Sequence, residues 1–218
     1  MNYTGIPSEL TLKRACEWVK PLVSKKRFDH IEGTARVARK LAKEAGSDTY
    51  LAQLAAWLHD ACKEVKDKKL VEMAKAYGLT VHPVEEVSGY LLHGPVGAQF
   101  AKESLNLTNQ QLLDAISEHT LGAVHMTELS KIVFLADCLE ESRPADYTDP
   151  IWLALEKGFP FGQERLALKD QSISIDLDAA VLVALNSGLE QLLESNRLIH
   201  PKTVDVRNAF LKVIKSRL

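Results

Sequence analysis

The stretch LAQLAAWLHD, residues Leu51–Asp60, decides the predicted fold, because its leucines and alanines recur at helical spacing and it ends in a His-Asp pair. The apolar stripe runs on through His59 to Cys62. An imidazole or a carboxylate on the apolar side of a helix costs on the order of 2 kcal/mol or more in lost hydration unless a partner satisfies it. His59 and Asp60 therefore need a partner, and one bound metal ion would serve both.

Four further residues have the same placement on or beside the apolar face of a predicted helix: His30, His93, His119 and Asp137. Together with the His-Asp pair, they put one candidate ligand group on each of five helices. Neutral imidazoles and carboxylates without a thiolate favour iron, manganese or zinc over a structural zinc knot. Adjacent residues on a helix point about 100° apart, so both members of the pair can reach one ion only where their helix ends. The sequence predicts that end at Ala61–Glu64.

Each of these residues also has a simpler interpretation, which the residues alone leave open. His93, before a Gly-Pro pair, is placed to bond to the backbone at a helix end, and His119 is placed to cap its own helix C-terminus. Asp137 could form a buried ion pair with one of the 27 lysines and arginines. The three other histidines are predicted at the surface: His82, His125 and His200.

The composition is that of an ordinary globular protein. The chain has 218 residues, 46% hydrophobic and 26% charged, which is enough for one sizeable core, so we expect one domain. The formal charge of -2 gives no basic field for a nucleic-acid duplex. Because no apolar run approaches the roughly 20 residues of a membrane span and the first residues lack a secretion signal, no membrane partner and a cytoplasmic location are expected. The three separated cysteines are expected to be buried thiols.

Helical periodicity extends over most of the chain and predicts an all-α fold. The stretch from 51 to 62 begins after Asp48, a helix cap that follows the helix stop Gly46, and Thr127 is placed to cap the helix that carries Asp137. The remaining predicted helices cover about 7–23, 27–45, 67–77, 83–92, 95–105, 110–119, 176–196 and 203–218. Residues 143–176 are rich in proline and glycine, and we expect an irregular segment there with one short helix near Trp152.

The order H…HD…H…H…D on consecutive helices resembles the HD superfamily of metal-dependent phosphohydrolases. Five local stretches resemble more specifically the YqeK-type symmetrical bis(5'-nucleosyl)-tetraphosphatases of bacteria: Phe28–Gly33, Leu58–Lys63, Leu92–Ala98, Glu118–Gly122 and Leu135–Arg143. The resemblance spans about Arg27 to Arg143, and residues 199–203 with Asn208 resemble the closing segment of that family. It implies a single HD-type helical bundle over 1–218, with its core at 27–143 and C-terminal helices at 176–218.

The resemblance also implies an iron-containing site that cleaves diadenosine tetraphosphate into two ADP. The implied metal ligands are His30, His59, Asp60 and Asp137. His93 and His119 would complete a second metal position or contact phosphate, and the sequence does not separate these roles. The positions expected to meet nucleotide phosphates are Arg27, Lys63, Thr120 and Arg143. Asp60 and Lys63 are the expected catalytic residues, and residues 199–203 would wall the nucleotide pocket.

Three features depart from the family pattern. The segment before Arg27 is longer than usual, Glu141 stands where a proline is common, and residues 144–175 match poorly. These departures leave the nucleotide open, so hydrolysis of a deoxynucleotide or a guanosine alarmone by another type of HD enzyme is an alternative. A non-catalytic nucleotide-sensing module is a second one. Iron, manganese and zinc all accept the ligand set. The number of ions, one or two, and the oligomeric state, including a homodimer, stay open.

A mechanism follows from the expected metal site. A divalent metal can lower the pKa of bound water from 15.7 to about 7 and so supply a nucleophile at neutral pH. Lys63 lies three residues after Asp60, so its ammonium is placed to reach phosphate at the same ion. Its alternative is a solvated lysine in the charged stretch from 63 to 69. Arg143 offers two-point binding to phosphate oxygens, which a lysine cannot.

Overall fold

A computed structural model describes residues 3–162, 164–166 and 175–217, with only the backbone described for 164–166. Its helices are α1 Leu12–Val19, α2 Lys25–Glu44, α3 Thr49–Leu58, α4 Asp67–Ala76, α5 Pro83–Val87, α6 His93–Ser104, α7 Gln110–Glu118, α8 Glu128–Leu139, α9 Ala145–Lys157, α10 Leu177–Glu194 and α11 Pro201–Lys215. Two 3-10 turns lie at Lys20–Leu22 and Gly89–Leu92. The all-α prediction is confirmed, and none of the described helices is long and apolar enough to cross a membrane.

The helix starts follow the caps expected from the sequence. The Asp48 side chain accepts hydrogen bonds from the first N–H groups of α3, and the Thr127 side chain accepts one from the start of α8. Between α2 and α3, Gly46 has a φ of +70°, a left-handed conformation that glycine adopts without a steric cost. This turn folds α3 back along α2, and the two helices pack together.

Helix α3 lies at the centre of the main core. Leu54 and Leu58 are fully buried, and α3 packs against α1, α2, α6, α7 and α8. Burying a leucine side chain contributes about 1.5–3 kcal/mol, so the apolar stripe of α3 holds it inside the molecule. Since α3 ends at Leu58, the central packing delivers His59 and Asp60 to the interior beyond the helix end. The helix therefore ends three residues before the end predicted at Ala61–Glu64, and both side chains still reach the same interior space.

The region after α8 differs from the irregular segment expected for it. Helix α9 has 13 residues, and β1 Phe159–Phe161 pairs with β2 Glu164–Leu166 in a short antiparallel hairpin. Pro144 stands at the cap position of α9, where the missing N–H of proline is not needed, so it starts a helix rather than breaking one. Helix α10 then packs on α8, α9 and α11. The expectations for 163 and 167–174, and for the last residue of the C-terminal helix, lie outside the described residues.

The helix expected over 83–92 is divided. Ser88, with φ of −122° and ψ of 63°, interrupts it between α5 and the 3-10 turn at Gly89–Leu92. Gly89 lies against the backbone of Asp67 so closely that a Cβ there would overlap it. The close approach of α4 therefore sets the break, which no local pattern in the sequence reveals.

Two expectations about burial are wrong in part. His200 is buried, because it caps α11 by accepting the N–H of Lys202 and its ring packs against the tilted ring of His82, with the centroids 4.5 Å apart. A capping side chain folds over its own helix start, which covers it. Among the cysteines only Cys62 is buried; the other two are partly exposed, and all three are free thiols.

The central position of α3 leads to a stability prediction. Replacing Leu54, which is fully buried, with alanine should lower the free energy of unfolding by about 2–5 kcal/mol. The substitution removes the packing contacts of the leucine side chain and creates a cavity in the core. Urea unfolding measures the change. Val87→Ala is the control, because Val87 is 73% exposed and its truncation should change stability by less than about 0.5 kcal/mol. Equal effects for the two variants would contradict the central role of α3.

Candidate metal centre and cleft

Three histidines are held in one tautomer by backbone carbonyls. The Nδ1 atoms of His59, His93 and His119 lie 2.6, 2.5 and 2.7 Å from the carbonyl oxygens three residues before them. A carbonyl only accepts, so Nδ1 carries the proton in each ring and Nε2 keeps its lone pair. These carbonyls belong to Ala56 in α3, Tyr90 in the 3-10 turn and Ile116 in α7, each close to the end of its segment. The helix ends therefore aim three Nε2 atoms into one interior space.

His30 is held differently, because it lies within α2. Its Nδ1 donates to Oε1 of Glu140 at 3.0 Å, and its Nε2 lies 3.0 Å from Oδ1 of Asp137 and 3.6 Å from Oδ2 of Asp60. Burial opposes the charged imidazolium, but the neighbouring Asp137, Glu140 and Asp60 carboxylates outweigh it and raise the pKa of His30. For buried His59 the loss of hydration dominates, and its pKa falls to about 4. The neutral, ligand-forming state of His59 is thus favoured by its surroundings.

Asp60 lies between the four imidazoles. Its Oδ1 is 3.2 Å from Nε2 of His93 and 3.5 Å from Nε2 of His119, whereas its Oδ2 is 3.5 Å from Nε2 of His59. Oδ2 also accepts a hydrogen bond of 2.9 Å from Arg27. Burial disfavours the charged carboxylate, yet the surrounding imidazoles hold the pKa of Asp60 well below its usual range. The pKa of Asp137 is lowered in the same way, against its burial, by His30, His59 and Arg143.

The facing lone pairs fit a bound cation. Nε2 of His93 and Nε2 of His119 are only 2.9 Å apart. Two ligands about 2.1 Å from one ion and at right angles to each other are about 3 Å apart. Among the described residues, the buried atoms without a hydrogen-bond partner include Nε2 of His30, Nε2 of His59 and Oδ1 of Asp60. The donor atoms form three overlapping groups, each within 4.8 Å: His30, His59 and Asp60; His59, His119 and Asp137; Asp60, His93 and His119. The cluster has the donor types and spacing for a divalent metal.

The simpler interpretations of these residues hold together with the ligand interpretation. His93 and His119 do bond to the backbone at helix ends, but with Nδ1, which leaves Nε2 for the cluster. Asp137 does form an ion pair, with Arg143 at 2.6 Å. For the two histidines the interpretations were never alternatives, because each ring uses one nitrogen for each role. For Asp137, the same Oδ1 accepts from Arg143 and faces Nε2 of His30.

Glu140 is a candidate positioning residue that the sequence analysis missed. It is 3% exposed, and it accepts hydrogen bonds from His30 and from the backbone N–H and the hydroxyl of Ser142. Gly33 makes room for it, since a Cβ there would lie 3.2 Å from Oε2 of Glu140. A carboxylate on the second nitrogen of a ligand histidine orients the ring and raises its basicity. The sequence did contain one indication of its role, because Glu140 lies three residues after Asp137.

A cleft of about 450 Å³ opens beside the cluster. Six residues named from the sequence line it: Lys63, His93, His119, Thr120, Asp137 and Arg143. Nζ of Lys63 and Oγ1 of Thr120 each lie 3.4 Å from Nε2 of His93. Arg27 is not among the lining residues, because its guanidinium is held on Asp60. Thr203, from the closing segment, and α10 form the far wall.

The protein combines a helical fold, a buried His/Asp cluster and an adjacent cleft lined by positively charged side chains. This combination is typical of a metal-dependent phosphohydrolase. The chain belongs to the HD domain family, whose model matches residues 27–142. The sequence resemblance to the HD superfamily is therefore confirmed.

Similar proteins align with nearly the whole chain. The symmetrical bis(5'-nucleosyl)-tetraphosphatase of Halalkalibacterium halodurans is 31% identical over 198 residues, covering 91% of this chain and 96% of that protein. The protein of the same name from Bacillus subtilis is 26% identical and covers 88% and 92%. The crystal structure titled "predicted HD superfamily hydrolase involved in NAD metabolism" from Clostridium acetobutylicum superposes with a TM-score of 0.80 at 24% identity, covering 95% of this chain and 99% of that one. The resemblance to the symmetrical tetraphosphatases is confirmed, and the last comparison shows the fold.

The contact between Glu140 and His30 can be tested through metal affinity. Glu140→Gln keeps the size but removes the charge, so the dissociation constant for the metal should rise about 10–100-fold. Competition with a chelator of known affinity measures it. The matched control is Glu141→Gln, since Glu141 is exposed and pairs with Arg36 at the surface. An unchanged metal affinity in the Glu140 variant would exclude a role for Glu140 in orienting His30 as a metal ligand.

Proposed function

We propose that the protein hydrolyses diadenosine tetraphosphate to two ADP, with a divalent metal held by His30, His59, Asp60 and Asp137. The observation that carries the proposal is the set of buried, unpartnered donor atoms that converge beside a cleft lined by Lys63 and Arg143. Relatives that align over nearly their whole length and are named symmetrical bis(5'-nucleosyl)-tetraphosphatases support the substrate. They favour this reaction over the deoxynucleotide, alarmone and sensing alternatives.

Iron is the metal that we propose, on the family resemblance, although manganese and zinc accept the same donors. Asp60, His93 and His119 would hold a second ion, and Asp60 belongs to both of the donor groups that would hold an ion. A divalent metal here supplies a nucleophile at neutral pH by acidifying water and neutralises charge on phosphoryl oxygens. The hydrogen bond from Arg27 orients the shared carboxylate of Asp60.

The cations of the cleft bind the phosphates. Lys63 places its ammonium beside His93, so it can stabilise charge on a phosphate that reaches the cluster. Nε of Arg143 donates to the backbone carbonyl of Asp137, and NH2 donates to its Oδ1. The other edge of the guanidinium is then left for phosphate oxygens. Thr120 adds a hydroxyl donor at the same place. Charge in the leaving diphosphate therefore develops next to fixed positive groups, which lowers the barrier to its departure.

The size of the cleft accounts for cleavage at the centre of the substrate. Ligand pockets are usually about 300–1,000 Å³, and a cleft of 450 Å³ is suited to one nucleoside diphosphate. With one ADP moiety of the substrate bound there, the adjoining phosphorus atom of the other half would lie beside the His/Asp cluster. Water adds to that phosphorus, its bond to the bridging oxygen breaks, and the bridging oxygen leaves with the seated ADP. Both products are then ADP.

We also propose that residues 1–218 form a single HD-type domain. Helix α10 packs on α8, which carries Asp137, and lines the same cleft as the cluster. The C-terminal helices therefore complete the site rather than form a separate unit.

A product assay with metal analysis tests the reaction. The protein loaded with Fe²⁺, Mn²⁺ or Zn²⁺ should release ADP alone from diadenosine tetraphosphate. Asp60→Ala should lose the metal and lower kcat/KM at least about 1,000-fold, because it removes a carboxylate that faces all four histidines. The control is Asp29→Ala, whose carboxylate is exposed, pairs with Lys25 and lies next to His30 in the sequence. Full activity in the Asp60 variant would refute the site, and bound metal without turnover in the unaltered protein would favour a sensing module.

Lys63 can be separated from its charged neighbours by a paired substitution. Lys63→Met should lower kcat/KM by about 10–100-fold, because it removes a charge at the developing anion. Lys66→Met should have little effect, since Lys66 is exposed and lies outside the cleft. Steady-state kinetics with metal content measured in parallel provides the comparison. Equal losses of kcat/KM in the two variants would mean that the lysines of this stretch act only through their combined positive charge and that Lys63 has no specific contact with phosphate.

A further inference from the structure

Gly188 lies inside α10, where glycine has no structural reason to be. Glycine in a helix interior is less favourable than alanine, because its unfolded backbone has more freedom to lose. Its φ is not in the left-handed region, and, beyond its chain neighbours and the backbone of its own helix, a Cβ on Gly188 would meet no heavy atom of the described residues within 4 Å. Neither the backbone conformation nor close packing therefore requires glycine at this position.

Other glycines near the site differ in this respect. A Cβ on Gly94 would lie 2.7 Å from Oγ1 of Thr120, and Gly122 has a φ of +71°. Those two positions need glycine for close approach and for backbone conformation. The open space over Gly188 is instead part of the cleft, which Gly188 lines.

The face of α10 around Gly188 has a different character from the metal end of the cleft. It presents Ala184, Leu185, Gly188, Gln191 and Leu192, whose spacing places them on one side of the helix. Three further side chains, from α8 and α9, which pack on α10, also line the cleft: Phe134, Cys138 and Tyr147. The cations and the histidines of the cluster line the same cleft. One part of the cleft thus suits phosphate, and the other suits a flat apolar ring with a polar edge.

We propose that Gly188 keeps the α10 wall open for the base of the bound nucleotide, which lies flat against the helix with its edge toward Gln191. The inference rests on the proposed function, since it takes the cleft to hold a nucleoside diphosphate. The absence of a side chain lets the ring approach the helix backbone. Gln191, one turn further along, carries both an amide donor and a carbonyl acceptor for the ring edge. Gly188 is then a specificity-determining residue that sets the thickness of the base subsite.

The test compares two ligands that share phosphates but differ in the base. Isothermal titration of the metal-loaded protein would give dissociation constants for ADP and for inorganic pyrophosphate. In Gly188→Leu, ADP should bind at least about tenfold more weakly, as expected when a pocket of fixed shape is filled by added methylene groups. Pyrophosphate binding and metal content should not change. The KM for diadenosine tetraphosphate should rise more than kcat falls.

Two variants serve as controls. Gly188→Ala should raise Tm, because alanine is the better helix former, and a fall in Tm would overturn the inference by revealing a structural need for glycine. Glu190→Leu adds a leucine at an exposed position of α10 outside the cleft and should leave ADP binding unchanged.

The remaining outcomes separate this inference from the proposed function. Unchanged ADP binding in Gly188→Leu, or an equal loss for ADP and pyrophosphate, would overturn the base subsite. If the unaltered protein binds ADP and the variant does not, but neither cleaves diadenosine tetraphosphate, the subsite stands and the proposed reaction fails. No ADP binding by the unaltered protein would overturn both.

Discussion

The site depends on one repeated hydrogen bond, from Nδ1 of an imidazole to a carbonyl oxygen at a helix end. His59, His93 and His119 all make it, at distances of 2.5–2.7 Å. The bond ties each ring to a backbone carbonyl, and it fixes which nitrogen keeps its lone pair. Because three helix segments end around one space, the backbone itself supplies most of the orientation of the cluster. Only His30, within a long helix, needs a side chain for this purpose, and Glu140 provides it.

The charges near the cluster are tied to its carboxylates. Arg27 is held by Asp60, and Arg143 is held by Asp137, so each aspartate has its own arginine. In the proposed function, a phosphate that binds Arg143 would therefore contact a side chain that already holds Asp137, one of the proposed metal ligands. In the same way, Glu140 joins His30 to the turn that begins α9, through Ser142. Direct hydrogen bonds thus link the residues proposed to bind phosphate with those proposed to hold the metal.

Local sequence was sufficient for most of the helices and for the identity of the clustered residues. Helical periodicity places His59 and Asp137 on apolar faces, and the caps at Asp48 and Thr127 depend on neighbours only. The contact of Glu140 with His30 and that of Arg27 with Asp60 join distant segments, and no local pattern encodes them. The length of α9 was missed because proline disfavours helices in general, whereas Pro144 stands at the start of α9, where it is tolerated, and α9 also continues through Pro150 in its interior. Burial of His200 likewise depends on tertiary packing around a cap.

The donor atoms of the cluster come from segments between α2 and α8, so an ion bound to them would also act as a cross-link. The unfolded chain cannot present these groups together, and an ion that binds only the folded form shifts the folding equilibrium by mass action. At a free concentration 100 times its dissociation constant, such an ion adds about 2.7 kcal/mol to the stability. In a cell that limits its metal supply, the amount of folded protein, and not only its activity, would follow the availability of the ion.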